Sequence, residues 1–270
     1  MSDWQWFILA LVQGLTEFLP ISSSAHLVLP AKVLGWPDQG LAFDVAVHVG
    51  TLAAVVLYYR VRLLHLAEGA CLGAQTGKDK SALHDIFFLA LATVPAVLVG
   101  VFADRWIEAH LRSVFVIAST TLVFGVLLGI ADKRVSANDD WRVSFWSMAL
   151  LMGVAQAMAL VPGVSRSGVT ITAGILFGMS YQRAADTSFL MSIPVIAGAG
   201  LLKLLELSGQ SDSVDWLMLA SAAGVSALAA YSCIAVFLKL LGKIGLMPFV
   251  WYRVGLAAIL FWLVIAGDIG

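Results

Sequence analysis

Two short stretches of this chain gather the residue types that chemistry requires. The first, QGLTEFLPISSSAH, sets Gln13, Glu17, Ser22, Ser23, Ser24 and His26 around Pro20. The second, QAMALVPGVSRSGVT, sets Ser165, Arg166, Ser167 and Thr170 just after Pro162 and Gly163. Brought together, they supply a carboxylate, an imidazole, a guanidinium and a ring of hydroxyls. That mixture suits a phosphate group better than a simple cation. Arg presents a planar fork of donors that matches phosphate oxygens two at a time. Serines that precede a new helix act as N-caps, and the free N–H groups at such a start form an anion site. Glu17 beside Arg166 can hold a divalent ion that also takes phosphate oxygens. His26 titrates near neutrality and can serve as acid, base or nucleophile.

The same residues have plainer roles, which the functional reading has to beat. Serines after a proline in a membrane helix often only cap freed backbone groups. Glu17 and Arg166 could form a buried ion pair that joins two parts of the chain. Asp44 and Asp186 stand at the starts of apolar spans, where a carboxylate favours the helix dipole. His48, one turn after Asp44, reads as a packed histidine as readily as a functional one. His65, His84 and His110 lie in linkers or at span ends and carry no assignment.

The surrounding sequence says where this chemistry sits. The hydrophobic fraction is 60 % and the charged fraction only 12 %, with a mean hydropathy of +0.93. Soluble domains run near ~25 % charged, so a soluble globular enzyme is excluded. A net charge of −1 without a basic cluster excludes a nucleic-acid partner. Cys71 and Cys233 are too far apart in sequence and too apolar in setting to suggest a disulfide framework or a zinc site. The composition is that of an all-α polytopic membrane protein, a single membrane domain over residues 1–270.

Six segments are long and apolar enough to cross, at 41–59, 85–103, 113–131, 184–204, 216–238 and 247–267. Two further apolar runs break early. Residues 5–19 end at Pro20 and resume at 25–34; residues 146–161 end at Pro162 and resume at 168–178. Broken helices at membrane depth are tolerated only against protein or a water-filled cavity, so each run reads as a re-entrant helical hairpin. Pro20 and Pro162, Ser23 and Ser165, and Asp44 and Asp186 are each separated by the same offset, with Gln13 and Gln156 one residue out of step. This indicates internal repeats of about 1–135 and 143–270, each with one hairpin and three spans. An odd number of spans inverts the second repeat relative to the first, an architecture in which broken helices meet at the midplane. The linkers 60–84, 132–146, 178–183 and 239–253 hold eleven of the sixteen Lys and Arg residues. By the positive-inside rule these linkers are cytoplasmic, which puts both termini and the first hairpin outside.

These motifs also carry a resemblance. QGLTEFLPISSSAHL resembles the (E/Q)xxxE…PxSSxxH signature, and PGVSRSGVT the PGxSRSxxT signature, of the BacA-type undecaprenyl-diphosphate phosphatases. The likeness extends over essentially the whole chain, including FDVAVHVGTLAAV and SFLMSIPVIAGAG. It implies the inverted-repeat fold, and an enzyme that hydrolyses undecaprenyl diphosphate to undecaprenyl phosphate and inorganic phosphate, recycling the lipid carrier of peptidoglycan synthesis. It implies catalytic roles for Glu17, Ser23, His26 and Arg166, and substrate contacts from Gln13, Ser22, Ser24, Ser165, Ser167 and Thr170. Glu17 is the expected metal ligand, for Mg2+ or Ca2+. Gln13 stands where many relatives carry a first glutamate, and a neutral amide is the weaker metal ligand. The nucleophile stays open between Ser23, His26 and water. The expected setting is the bacterial inner membrane, with the site open to the periplasmic side, membrane lipid around it and a second copy of the chain as a candidate partner. A transporter or flippase of lipid-linked phosphates is the alternative, since inverted repeats with broken helices also build transporters. The SRxxxxxHxxxD pattern of the acid phosphatase superfamily is excluded, because no histidine follows Ser165 and Arg166 at that spacing.

Overall fold

A computed structural model of the chain describes residues 3–76, 80–136, 139–207 and 215–267. Its regular elements are all helical among the described residues. In chain order they are α1 (Asp3–Thr16), α2 (Ser23–Val33), α3 (Gly40–Tyr58), α4 (Arg60–Thr76), α5 (Lys80–His110), α6 (Val114–Asp132), α7 (Phe145–Met158), α8 (Arg166–Leu176), α9 (Tyr181–Leu207), α10 (Trp216–Ile244) and α11 (Met247–Ala266). Six of them (α3, α5, α6, α9, α10 and α11) are long and apolar enough to cross a membrane. The spans expected from sequence match these six to within a few residues, apart from the longer reach of α5, α9 and α10. The protein is a multi-pass integral membrane protein. Large apolar side chains such as Phe102, Phe115, Leu217 and Ile265 point outward, as they must where lipid rather than water is the solvent.

The two interrupted runs fold as broken helices. At ~1.5 Å per residue, the 14 residues of α1 and of α7 reach only about 21 Å, short of the ~30 Å hydrocarbon core. Each pair returns to where it began. Trp4 near the start of α1 packs edge-on against Trp36 just beyond α2, with ring centres 5.0 Å apart. The Arg142 and Asp140 N–H groups, just before α7, donate to the Phe177 and Gly178 carbonyls at the end of α8. The two returns lie at opposite ends of the bundle. Tyr59, beyond the far end of α3 from Trp36, donates to Asp186 near the start of α9.

Helix contacts follow a matched pattern. α1 packs on α10 as α7 packs on α5, while α3 faces α9 and α6 faces α11. Glycines permit the first two approaches. A Cβ on Gly14 would meet the Ser226 carbonyl oxygen at 2.5 Å, and one on Gly153 the Ala92 carbonyl oxygen at 2.7 Å. The main apolar cluster runs through Phe18, Met148, Met152, Ile171, Phe189 and Phe237, so both broken helices are anchored in one core.

Linker 60–84 holds a helix, α4, whose apolar Val61 and Leu64 are exposed. One element of the charge count changes. Arg253, taken above as the edge of a cytoplasmic linker, lies within α11 and is fully buried. Its side chain is therefore no topogenic charge, and ten linker cations remain from the eleven.

Candidate active site

The gap between α1 and α2 opens where Pro20 ends the first run, and the gap between α7 and α8 opens after Pro162. Both re-enter a helix through the same unusual backbone. Ser22 has φ 74° and Ser165 has φ 70°, the two non-glycine residues with positive φ among those described. Such conformations cost of order 1–3 kcal/mol each and persist only where the surroundings impose them. They also align the breaks differently from the spacing of the prolines. Ser22 is the conformational counterpart of Ser165, and Ser23, which opens α2, is the counterpart of Arg166, which opens α8. The first-turn N–H groups of both helices lack partners within their own helix and, apart from the Gly168 N–H that Ser165 Oγ caps, are available to an anion.

Side chains converge at this meeting of breaks. Arg166 Nη2 donates to Glu17 Oε1 at 3.0 Å, and Ser23 Oγ donates to Glu17 Oε2 at 2.6 Å. Gln13, one turn before Glu17 on α1, donates to the same Oε2 at 3.0 Å. His48 Nε2 stands 4.0 Å from that oxygen, and its Nδ1 bonds the Asp44 carbonyl. Arg166 is held by a second bond to the Ser188 carbonyl and lies over the Phe18 ring at 5.5 Å. Glu17 and Arg166 are only 8 % and 11 % exposed. Removing either partner of so buried a pair leaves an uncompensated charge and costs about 3–5 kcal/mol.

A cavity of about 300 Å³ opens beside this pair, lined by Glu17, Ser22, Ser23, Ser24, Ser165 and Arg166. His48, Gln156, Asp44, Arg112 and Lys203 complete its wall toward the start of α3 and the ends of α5 and α9. A second cavity, of about 240 Å³, lies at the other end of the bundle between Tyr59, Arg62, Asp85, Arg183 and Asp186. Neither Glu17 nor Arg166 borders it.

The sequence candidates thus fall into three groups. Glu17, Ser23, Arg166 and Gln13 touch one another. Ser22, Ser24 and Ser165 line the cavity, with Ser22 and Ser24 sharing a 3.2 Å contact and Ser165 Oγ capping the Gly168 N–H. Ser167 and Thr170 point into the protein instead. Ser167 donates to the Leu19 carbonyl across to the first break, and Thr170 bonds Arg166 O and Ser188 Oγ. His26 also points away from the cavity, with Nδ1 on the Ser22 carbonyl and Nε2 on the Tyr252 hydroxyl at 2.5 Å. Sequence reasoning passed over Gln156 as a cavity residue and Tyr252 as the partner of His26. Gln156 did have a signal, as the counterpart of Gln13 in the spacing of the two motifs; the neighbours of Tyr252 in sequence carry none.

Among the described residues no group of three or more His, Cys, Asp or Glu stands close enough to hold a metal on its own. A divalent ion would therefore have to share its shell with the substrate. The Gln13 Oε1 atom is buried with no hydrogen-bond partner, an oxygen donor of the kind Mg2+ and Ca2+ accept. The amide turns its Nε2 toward Glu17, so Oε1 and the carboxylate would offer an ion oxygen donors only once the amide turns over, with phosphate oxygens completing the shell.

The sequence model described as Bacitracin resistance protein BacA matches residues 6–259 of this chain. The chain belongs to the BacA family. Similar proteins include the undecaprenyl-diphosphatase of Alcanivorax borkumensis, 53 % identical over 97 % of this chain and 99 % of the relative. The undecaprenyl-diphosphatase of Hahella chejuensis is 52 % identical over 96 % of this chain and 97 % of its own. That of Alteromonas mediterranea is 44 % identical over 98 % of this chain and the whole of its own length.

Proposed function

We propose that this chain is an undecaprenyl-diphosphatase, an integral membrane hydrolase that converts undecaprenyl diphosphate to undecaprenyl phosphate and inorganic phosphate. The product is the lipid carrier on which peptidoglycan precursors are assembled. The observation that carries this reading, in a chain of the BacA family, is the Ser23–Glu17–Arg166 constellation. A hydroxyl donates to a carboxylate that is oriented by a guanidinium, and the three border a cavity framed by two helix N-termini.

The chemistry follows from that arrangement. The diphosphate binds with its terminal phosphoryl against Arg166 and the first-turn N–H groups of α2 and α8, where charge developing on the equatorial oxygens is stabilised. Ser23 Oγ attacks the terminal phosphorus while its proton passes to Glu17. The bond to the bridging oxygen breaks, and undecaprenyl phosphate leaves. Glu17 passes the serine proton to the departing phosphate; water then attacks the phosphoserine, giving a proton to Glu17, which returns it to Ser23 Oγ as inorganic phosphate is released. Both nitrogens of His26 are committed to Ser22 and Tyr252, which favours Ser23 as the nucleophile. A divalent ion, when bound, neutralises phosphate charge. Gln13 Oε1 and Glu17 are the residues that would hold it.

The wider setting belongs to the same proposal. The inverted repeats of about 1–135 and 143–270, with two re-entrant hairpins, are supported by the matched packing and by the shared conformation of Ser22 and Ser165. Placement in the bacterial inner membrane with the cavity on the periplasmic side is part of this reading, its orientation resting on the positive-inside rule applied to the linker cations.

The deciding experiment is phosphate release from farnesyl or undecaprenyl diphosphate by purified protein in detergent, with and without EDTA. Wild type should release phosphate, Arg166→Ala and Glu17→Gln should not, and EDTA should suppress the wild-type reaction. Brief acid quench followed by mass spectrometry should find phosphate on Ser23. Equal release by wild type and variants would sink the assignment, and phosphate on His26 would transfer the nucleophile's role to it.

A further inference from the structure

The largest fully buried side chain among the described residues is that of Arg253, at 0 % exposure. A guanidinium in a membrane helix is expensive, and no Asp or Glu forms a salt bridge with it among the described residues. Its compensation comes wholly from backbone carbonyls, and those carbonyls belong to a specific place. Nη1 donates to Pro20 O at 3.2 Å. Nη2 donates to Gly163 O at 2.8 Å and Val164 O at 3.0 Å. Nε donates to Thr121 O of α6 at 3.1 Å. Pro20 lies two residues before Ser22, and Gly163 and Val164 immediately precede Ser165. One side chain therefore grips both breaks next to their strained serines, and braces them on α6.

The neighbourhood is shaped for this grip. Gly125 of α6 faces the Arg253 stem, where a Cβ would lie 3.0 Å from Arg253 Cβ. Gly168, in the first turn of α8, lies against Nη1, which would stand 3.1 Å from a Cβ there. Tyr252, the residue before, holds His26 of α2, so adjacent residues of α11 fasten both the loop and the helix of the first hairpin. No lysine could do the same. Its three donors radiate from one nitrogen, whereas the guanidinium fork reaches three separate backbone segments at once.

We propose that Arg253 is a positioning residue of the phosphatase, a clamp that holds the two breaks in register so that Ser23 and Glu17 from one meet Arg166 from the other. It rests on the function proposed above for its kinetic consequence, and on geometry alone for its structural one. On the proposed function the prenyl chain would add binding along the apolar spans, away from the breaks. Loosening the clamp therefore misplaces the reacting groups more than it weakens ground-state binding.

The test is Arg253→Lys, which keeps the charge and loses the fork, and Gly125→Ala, which leaves Arg253 in place and presses on its stem. Leu260→Ala, two turns along α11 at a buried apolar position, serves as the stability control. Phosphate release gives kcat and KM, thermal unfolding gives stability, and hydrogen exchange reads the backbone of residues 19–24 and 161–167. Arg253→Lys should lose about 100-fold in kcat, the scale of a 1 Å misplacement, with KM within about threefold of wild type. Both break segments should exchange faster together, and Gly125→Ala should show both effects in smaller degree. The clamp is refuted if Arg253→Lys retains kcat within about threefold, or if its loss matches that of Leu260→Ala at equal loss of stability. It is equally refuted if exchange at the two breaks is unchanged. Should wild type release no phosphate, the function reading fails, and the exchange arm alone still decides the clamp.

Discussion

The two breaks share a backbone and divide the chemistry. Each is a short apolar helix stopped by a proline, a serine near φ 70°, and a new 11-residue helix. The first adds a carboxylate and a hydroxyl in Glu17 and Ser23, and the second adds the guanidinium of Arg166. Their surroundings differ as well. Residues 167–175 of α8 are all buried, whereas on α2 only Ala25 and Leu27 are. The buried half acts as the anvil and the half-open one as the working edge. In the proposed mechanism neither break suffices alone, since Ser23 and Glu17 come from one and Arg166 from the other. Two breaks of the same backbone conformation thus yield an asymmetric site, because matching backbone positions carry different side chains.

Breaking the union of the halves should have the largest effect. Arg166→Ala removes the cation from both the substrate and Glu17. Activity should fall by about 10³-fold or more, the scale of a phosphoryl-stabilising arginine. Stability should fall by about 3–5 kcal/mol, since Glu17 is left buried without its partner. Adding Glu17→Gln to Arg166→Ala should restore part of the stability and none of the activity. Phosphate release and thermal unfolding on the four proteins close the cycle. Stability effects that simply add would show that the two charges do not depend on each other.

The division of labour is tested next by a matched pair of hydroxyl deletions. Ser23→Ala should abolish most turnover with little loss of stability, because Ser23 Oγ bonds only Glu17. Ser165→Ala should show the reverse. It loses the cap on the Gly168 N–H, worth about 1 kcal/mol, and keeps most of its kcat. Similar kcat losses in the two variants would erase the distinction between the breaks.

A glycine separates the halves in a third way. Gly163 has φ 90°, and a Cβ there would lie 2.2 Å from Thr120 Oγ1 and 2.6 Å from the Ile117 carbonyl. The first break has no glycine between Pro20 and Ser22, only Ile21. Gly163→Ala should cost of order 1–3 kcal/mol through backbone strain and crowding against α6, read as a lower unfolding temperature. Ile21→Ala removes buried apolar surface and introduces no such clash, so it should slow turnover less than Gly163→Ala. The reverse order would place the tight contact in the first break.

Much of this was legible in the sequence. Long apolar runs without charge have one inexpensive state in lipid, so the six spans emerged close to their observed limits. The prolines and serines announced the breaks, and the scarcity of charge drew attention to Glu17 and Arg166. Three things were hidden for physical reasons. Arg253 stands near a span end, where a cation ordinarily serves as a topological signal, and its carbonyl partners come from residues 20, 121, 163 and 164, remote in sequence. His26 carries the right chemistry in the right motif, yet its orientation depends on Tyr252, more than two hundred residues away. The proline spacing paired Ser23 with Ser165, whereas backbone conformation pairs Ser22 with Ser165. A one-residue shift inside a loop leaves no trace in residue types when three serines stand in a row.

That shift leads to the smallest and most exacting comparison. Ser22 and Ser165 adopt the same conformation, but only Ser165 uses its hydroxyl to cap its helix; Ser22 makes no side-chain cap bond. Glycine relieves the positive-φ penalty at either site, a gain of about 1 kcal/mol. At Ser22 nothing offsets that gain except a contact with Ser24, so Ser22→Gly should raise the unfolding temperature slightly. At Ser165 the lost cap offsets part of it, roughly a few tenths of a kcal/mol because glycine itself is a tolerable N-cap, so Ser165→Gly should raise the unfolding temperature less than Ser22→Gly. If Ser22→Gly instead destabilised the protein as much as Ser165→Ala, the Ser22 hydroxyl would be holding the first break in place. The strain would then be sustained by that side chain rather than imposed by the grip on the Pro20 carbonyl.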